Sequence, residues 1–473
     1  MQNFTPDPKR WAALALLCAA QFIVILDTSI IGVALPAMQT DLGFSASGLS
    51  WIFNAYVIAF GGLLLLGGRL GDLLGARRVF TAGFIMLTGA SLLAGLAQNQ
   101  EMLLAGRALQ GVGAALIAPS ALTIVMRLFG HDGAELGKAF GFWGAAAAAG
   151  GSAGVFLGGV ITEWMTWPWT FLINAPLGLL VLALIPSVLR KSPCSTGAVD
   201  WFGAMSVTGA LVSLVYAIVT IDQAGFGSPQ ILTMLGSAAL FAAFVIAQLV
   251  RRAPLLPLRI FKAPNLAAGN LVMALLGAAW IPLWFFLNLY LQQILGLSAL
   301  ASGLALLPMT GMIMIVMVGF SGKLIGRFGV KTNLVLGLLL MGGALLIFAK
   351  SPLDGSFLIN VLPASLLAAL GMALAYIPAT MSGMAGAKPE ETGLASGLIN
   401  TTYQIGSAIG LAIMVAVSTF RIGHGASAGK TAEGMLEGFQ AAFLGASVVA
   451  AIAALAALIL VRSTGPKREI PVG

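Results

Sequence analysis

Two ionisable side chains lie inside long apolar runs of the sequence, where a carboxyl group can do proton chemistry. Asp27 lies in the run 11–36, and Arg107 lies in the run 102–126. A charged side chain costs about 2.5–3.5 kcal/mol at the centre of a membrane-spanning helix, so its presence there indicates a use. The simplest use of a buried carboxyl is to take up and release a proton. We therefore predict that Asp27 titrates during function.

The elements that carry Asp27 and Arg107 are expected to hold them at similar depths. Asp27 is roughly 13 Å and Arg107 roughly 8 Å from the outer end of its span, at 1.5 Å per residue. An arginine side chain can bridge that difference, and pairing would offset part of both burial costs. The alternatives are a purely structural ion pair and an Arg107 side chain that reaches the membrane surface.

The composition predicts a polytopic membrane protein. Hydrophobic residues make up 59% of the 473 residues and charged residues 8%, against about 25% charged in soluble domains. Cys18 and Cys194 offer no disulfide framework, and His131 and His424 belong to no metal-ligand cluster. No phosphate-binding loop or nucleophile–base set is apparent. Neither an enzyme nor a cofactor is therefore expected, and the first apolar run is interpreted as a retained span.

Apolar runs long enough to cross a bilayer as helices recur along the whole chain. They predict an all-α protein with fourteen spans, which we place at 12–36, 48–68, 79–97, 102–126, 139–161, 170–189, 201–221, 230–250, 266–291, 300–321, 332–350, 357–380, 393–418 and 438–461.

The basic residues support this topology. With both termini in the cytoplasm, 20 of the 24 Lys and Arg residues fall in cytoplasmic segments. Three fall on the outer side, Lys350, Arg421 and Lys430, and Arg107 lies within a span. This distribution follows the positive-inside rule. The net charge of +8 is therefore explained by topology, and no nucleic-acid partner is predicted.

A weak internal repeat suggests how the spans are grouped. Segments 68–75 and 322–329 share the pattern Gly-x-Leu-x-x-x-x-Gly, and both are expected in cytoplasmic loops. Equivalent loops predict two six-helix bundles, 1–190 and 263–473, with spans 7 and 8 inserted as a helix pair in 191–262. Repeated six-span units are a transporter architecture with a substrate site between the halves.

Three further constellations carry polar or small side chains into the spans. Gln110 lies one turn from Arg107, on the same helical face. Span 5 is rich in glycine, which fits either tight packing or a pliable helix between the halves. A face of span 9 could line a cavity for flat apolar molecules or could simply pack against lipid or helices. The predicted cavity residues are Asn54, Tyr56, Gln110, Trp143, Trp280, Trp284 and Asn288.

These residues together resemble a known family, the fourteen-span drug/proton antiporters of the major facilitator superfamily. The similarity runs the whole length and rests on 26–36 around Asp27, 68–78, the run from Arg107 to Gly111, 141–159 and 167–178. It implies that Asp27 and Arg107 are proton-coupling residues. It also implies a cytoplasmic gate at Gly68, Asp72, Gly75, Arg77 and Arg78, and an antiporter helix with Gly150, Gly151, Gly154, Gly158 and Gly159.

The sequence departs from the family pattern at several positions. The family usually has Asn at position 32, where Gly32 stands, and a Gly-Pro pair at 154–155, where Val155 replaces the proline. Leu73 and Ala76 replace basic residues, and Pro168 replaces an arginine. The C-terminal half carries no acid within a span, which favours neutral or monocationic substrates over dications.

The resemblance therefore implies a major facilitator fold and a proton-coupled multidrug efflux antiporter that works by alternating access. We expect a monomer in the bacterial cytoplasmic membrane, small hydrophobic compounds, protons and lipid as its partners, and the proton gradient as its energy source. One alternative is a dedicated exporter or importer of a single metabolite. The other is a membrane sensor or scaffold that transports nothing.

Overall fold

The computed structural model describes residues 8–45, 47–129, 133–192, 194, 199–224, 228–251, 254–385, 392–424 and 431–462. Two residues named in the sequence analysis, His131 and Lys430, lie outside the described residues. So do four of the 20 basic residues counted there as cytoplasmic, namely Arg252, Lys388, Lys467 and Arg468.

Within the described residues every regular element is a helix, as predicted. The α-helices are α1 (Arg10–Ser29), α2 (Ile31–Leu42), α3 (Trp51–Leu74), α4 (Ala76–Gly95), α5 (Gln100–Phe129), α6 (Gly133–Trp164), α7 (Trp169–Leu172), α8 (Asn174–Val188), α9 (Trp201–Ala224), α10 (Ser228–Val250), α11 (Leu266–Leu289), α12 (Ala299–Met314), α13 (Ser321–Phe328), α14 (Val330–Phe348), α15 (Leu362–Met384), α16 (Thr392–His424) and α17 (Ala432–Leu460). Short 3₁₀ turns lie at Gly48–Ser50 and Leu258–Lys262, and π-helical turns at Tyr290–Ile294, Ile315–Phe320 and Phe357–Val361.

Fourteen segments of the described residues are long and apolar enough to cross a membrane, which confirms the predicted number of spans. Helices α1 and α2 are consecutive parts of one span, because the residue between them, Ile30, keeps helical dihedral angles. Helices α7 and α8 likewise meet at Ile173, which is also helical.

The two repeated glycine segments are not loops, contrary to the prediction. Helix α3 continues to Leu74 and α13 to Phe328, so most of 68–75 and of 322–329 is helical. An apolar run marks where a span leaves the membrane, but the helical backbone continues until a residue breaks it. Gly75 (φ 92°) and Gly329 (φ 81°) do so with positive φ, which favours glycine.

The ends of the helices define two ends of the molecule. We call one the basic end, because it carries Arg77, Arg127, Arg190 and Arg251 at or beside the ends of α4, α5, α8 and α10. The opposite end holds the end of α2 and of α6 and the start of α5 and of α12.

The helices before residue 190 contact those after residue 262 mainly along three pairs, which are α3 with α16, α6 with α12, and α2 with α11. Helices α9 and α10 pack on each other, and α9 also contacts α3 and α16. These contacts fit the two bundles and the inserted pair, but the division at 190 and 262 stays a prediction.

Candidate functional site

Asp27 and Arg107 form an ion pair that is sealed inside the protein. Arg107 Nη1 lies 2.8 Å from Asp27 Oδ2, and both side chains have no exposed surface. The two residues are therefore partners, as the depth comparison suggested. A buried pair of this kind is weak evidence for stability, because the desolvation of two charges offsets much of their attraction.

Two amide side chains complete the shell around the Asp27 carboxylate. Gln110 Nε2 donates to Asp27 Oδ1 at 2.8 Å, and Asn174 Nδ2 donates to the same oxygen at 2.6 Å. Gln110 also accepts from Arg107 Nη1 through Oε1 and donates to Ser91 Oγ, both at 2.8 Å. Gln110 thus bridges both charges of the pair.

Backbone and aromatic groups hold the Arg107 guanidinium in place. Its Nε donates to the carbonyl oxygen of Ile52 at 3.0 Å. Its Cζ lies 4.4 Å from the centre of the Tyr56 ring and 5.9 Å from that of Phe171. Cation–π contacts of this kind are strongest where water is excluded. Arg107 Nη2 and the Tyr56 hydroxyl are buried without a hydrogen-bond partner in the described structure.

Close helix packing builds this network. A side chain at Gly111 would collide with the Tyr56 carbonyl oxygen and would lie 3.0 Å from Ala59 Cβ, so glycine lets α5 approach α3. Gly113 likewise lets α5 approach α4, since its Cβ would lie 2.9 Å from both Gly83 O and Leu87 N. Six helices therefore contribute to the site: α1, α3, α4, α5, α7 and α8.

The glycine face of α6 packs directly behind Asp27. A Cβ at Gly150 would lie 2.6 Å from Phe22 O, and one at Gly154 would lie 2.7 Å from Ser29 Cβ. A Cβ at Gly158 would lie 2.5 Å from Ile30 O. A Cβ at Gly151 would lie 3.9 Å from both Ile25 Cγ2 and Ser29 Oγ, whereas Gly159 packs against α12 at Ala299 and Leu300. The helix thus joins the Asp27 segment on one side to α12 on the other.

The predicted face of α11 lies inside the protein. Trp280 and Asn288 are buried, Trp284 is half-buried, and the two tryptophan rings are 6.3 Å apart. Asn288 Nδ2 donates to the Trp284 carbonyl oxygen at 2.8 Å and would lie 3.0 Å from a Cβ at Gly32. Asn288 thus occupies the space that Gly32 leaves, and a larger residue at 32 would have to displace it.

The other predicted cavity residues separate into different surroundings. Gln110 and Tyr56 belong to the ion-pair network rather than to an open surface. Asn54 on α3 is fully buried, and its amide has no hydrogen-bond partner in the described structure. Trp143 is half-buried against the core on α6.

The predicted gate residues lie at the basic end. Gly75 packs against Ser192 O, and Arg77 N donates to Ser192 Oγ at 3.1 Å. Arg78 Nη1 lies 3.7 Å from Cys194 Sγ. Asp72 is exposed on the last turn of α3, and Gly68 packs on Pro119 of α5. Ser192 and Cys194 therefore lie against the turn between α3 and α4.

At the opposite end, polar contacts join the two groups of helices. Gln293 Nε2 donates to Gln39 Oε1, and Gln292 Nε2 donates to the Val33 carbonyl oxygen, both at 2.9 Å. Leu300 N, in the first turn of α12, donates to Glu163 Oε2 at 3.3 Å. The structure is closed at this end.

Sequence reasoning missed Asn174 and Ser91 as members of the site. Asn174 lies in the segment 167–178 that carries the family resemblance, and an amide inside the apolar run Phe-Leu-Ile-Asn-Ala is itself a signal. Ser91 is one of several hydroxyls in spans and carries no such signal. No cluster of three or more metal-ligating side chains occurs among the described residues.

The sequence matches the model of the Major Facilitator Superfamily over residues 17–411. The chain belongs to the Major Facilitator Superfamily. It is thus a multi-pass membrane protein of a transporter family, as predicted.

Solved structures of this fold resemble it along nearly its whole length. The human organic anion transporter MFSD10 matches with a TM-score of 0.64 at 16% identity, covering 95% of this chain and 100% of that one. The POT family transporter PepTSo matches with a TM-score of 0.66 at 14% identity, covering 94% and 98%.

Curated relatives are much more similar in sequence. The chain is 38% identical to the cephamycin export protein CmcT of Amycolatopsis lactamdurans over 464 residues, which cover 96% of this chain and 94% of the relative. It is 36% identical to the puromycin resistance protein pur8 of Streptomyces alboniger over 470 residues, which cover 97% and 92%.

Proposed function

We propose that this protein exports hydrophobic antibiotics and similar compounds across the bacterial cytoplasmic membrane in exchange for protons. The observation that carries the proposal is the sealed Asp27–Arg107 pair with its two amide donors. A purely structural role gives no reason to keep a titratable carboxyl group inside the membrane. The export and resistance functions named for the relatives support the direction and the substrate class.

The geometry suggests how a proton changes the site. With Asp27 ionised, the carboxylate ties α1 to α5 through Arg107 and to α8 through Asn174. A proton on Asp27 removes the charge that attracts Arg107, which can keep its contacts to Ile52 and Gln110. The attachment of α1 to its neighbours therefore depends on protonation.

Substrate does not need to touch Asp27 in this scheme. The carboxylate has no exposed surface in the closed structure, and its two oxygens already accept from three side chains. We propose that coupling runs through the position of α1 against α6, whose glycine face lies behind Asp27. Substrate and proton would then compete through the conformation of the helices rather than for one shared group.

Orientation is part of the proposal. The basic end would face the cytoplasm, in line with the positive-inside rule, and the closed opposite end would face outward. The structure would then represent a form closed to the outside. Substrate would enter from the cytoplasmic side, and a proton from outside would reach Asp27 after the opposite end opens.

Everted membrane vesicles test this function. Vesicles that contain the protein are energised to acidify their interior, and the uptake of puromycin, a cephamycin and a hydrophobic monocationic dye is measured with and without a protonophore. We expect uptake of at least one compound that collapses when the protonophore is added. Vesicles without the protein are the control. Uptake that ignores the protonophore would contradict proton coupling, and the absence of uptake of every compound would favour a dedicated metabolite carrier or a sensor.

A further inference from the structure

A small recess opens at the basic end, where the ends of α1, α5 and α8 meet. It has a volume of about 120 Å³. Three cationic side chains line it, Arg127, Arg190 and Lys191, and its apolar wall includes Ala13, Ile124 and Leu189.

Two of the three cationic side chains of this recess have no acidic partner among the described residues. No Asp or Glu is among the described residues that line it. Arg127 and Lys191 are exposed, and neither makes an ion pair or hydrogen bond within the described part of the chain. Nearby basic residues differ, since Arg10 pairs with Glu135 at 2.7 Å and Arg251 pairs with Asp200 at 2.9 Å. The recess therefore keeps a net positive charge.

The surroundings set the depth of the recess in the membrane. Trp11, with 41% of its surface exposed, lies beside it at the start of α1 and contacts Phe129 and Phe142 at 5.1 and 6.4 Å between ring centres. Exposed tryptophan at a span end is typical of the interface between lipid headgroups and hydrocarbon. The rim thus lies at the level of the headgroups, and the apolar wall is buried behind it.

We propose that this recess binds the phosphate of an anionic phospholipid headgroup. Basic pockets between membrane helices recognise such headgroups by charge, and each Lys or Arg adds to the attraction. The three helices that meet here carry four residues of the buried network, with Asp27 on α1, Arg107 and Gln110 on α5, and Asn174 on α8. A bound headgroup would hold their ends together at the far end of the same helices.

Lipid binding to the purified full-length protein tests the proposal without any transport measurement. The retention of phosphatidylglycerol and of phosphatidylcholine is compared by native mass spectrometry for the wild type, R127Q/K191Q and the control K323Q/R327Q. The control removes two exposed charges from α13 at the same end. At about fivefold for each charge, R127Q/K191Q should bind phosphatidylglycerol about 25-fold more weakly, and the control should match the wild type.

Three results would overturn the proposal. These are equal retention of both lipids by the wild type, unchanged retention by R127Q/K191Q, and displacement of the lipid by millimolar inorganic phosphate, which would indicate a site for a soluble anion. If R127Q/K191Q does not fold, the charge-preserving R127K/K191R replaces it and should retain phosphatidylglycerol. Because the readout is binding, its failure leaves the proposed export function untouched.

Discussion

The Asp27 carboxylate is held by donors from two helices, and this explains why a costly group is stable inside the protein. Arg107 and Gln110 reach it from α5 and Asn174 from α8. Charge-assisted hydrogen bonds are shorter and stronger than neutral ones, and the contacts of 2.6–2.8 Å fit this description. These four side chains are stable together, but removing one of them leaves its partners buried without a hydrogen bond or counter-charge, which lowers the free energy of unfolding.

Removal of Arg107 alone should destabilise the protein more than removal of both charges. R107Q leaves a buried carboxylate without its cation, which costs about 3–5 kcal/mol. D27N/R107Q removes both charges, so we expect it to recover most of that loss. Denaturant unfolding of the purified variants measures the difference. Additive losses in the single and double variants would show that the two side chains do not interact.

The sequence could predict the two charges but not the full set of residues around them. A charge in an apolar run is visible because its burial cost is large, and depth along two helices can be compared by counting residues. Asn174 and Ser91 could not be assigned in this way, because their contacts depend on how α4 and α8 rotate about their axes. The fit of Asn288 into the space at Gly32 depends on a register between distant helices that no local pattern records.

At the level of elements, the α1–α6 contact is the closest packing behind the site. G154A would place a methyl group 2.7 Å from Ser29 Cβ and 3.0 Å from Leu26 O. Overpacking of this kind costs about 1–3 kcal/mol, and we expect gradient-driven transport to fall several-fold. G144A on the same helix is the matched control, because nothing lies within 4 Å of its added Cβ. Equal transport by G154A and G144A would contradict a role for this contact.

A second contact between elements joins the start of α9 to the end of α10. Asp200 accepts from Gly203 N at 2.8 Å and from Gln248 Nε2 at 2.9 Å, and Arg251 lies 2.9 Å away. Burial alone raises the pKa of the Asp200 carboxyl, but these hydrogen bonds and the charge of Arg251 outweigh burial and hold the pKa below its usual value.

The stabilisation that Asp200 provides should be lost only at acidic pH. A lowered pKa in the folded state means that the stabilisation is present above the unfolded value of about 3.9 and is lost as the pH falls through the folded value. D200A should therefore lower the free energy of unfolding by about 1–2 kcal/mol at pH 7, with a smaller difference from the wild type below pH about 4. Thermal unfolding at both pH values measures this. A difference that does not change with pH would contradict the assignment.

The elements themselves were largely predictable, because an apolar run long enough to span a bilayer has few alternatives to a helix. Their ends were not. The sequence predicted loops at 68–75 and 322–329, whereas α3 and α13 continue through them until glycine reverses the backbone at Gly75 and Gly329. Hydropathy records the membrane boundary and not the end of hydrogen bonding along the helix.

For the molecule as a whole, the closed opposite end suggests a movement that transport requires. Gln39 and Gln293 contact each other across the two groups of helices at 2.9 Å. In a C18S/C194S background, Q39C/Q293C should be joined by a short bismaleimide, and the joined protein should lose transport. A background protein without the added pair is the control for the reagent. Full transport by the joined protein would show that this end does not open.

Gradient-driven transport and simple exchange can be measured on the same proteoliposomes, and their separation tests proton coupling most directly. D27N should lose substrate accumulation driven by a pH gradient but retain substrate counterflow in its absence, because the substitution removes the titratable group and keeps the helices in place. D41N is the matched control, since Asp41 lies on the next helix and bonds to Trp167 Nε1 at 2.7 Å, outside the network; it should behave like the wild type in both assays. Accumulation of substrate by D27N against its concentration gradient, driven by the pH gradient alone, would contradict Asp27 as the coupling group.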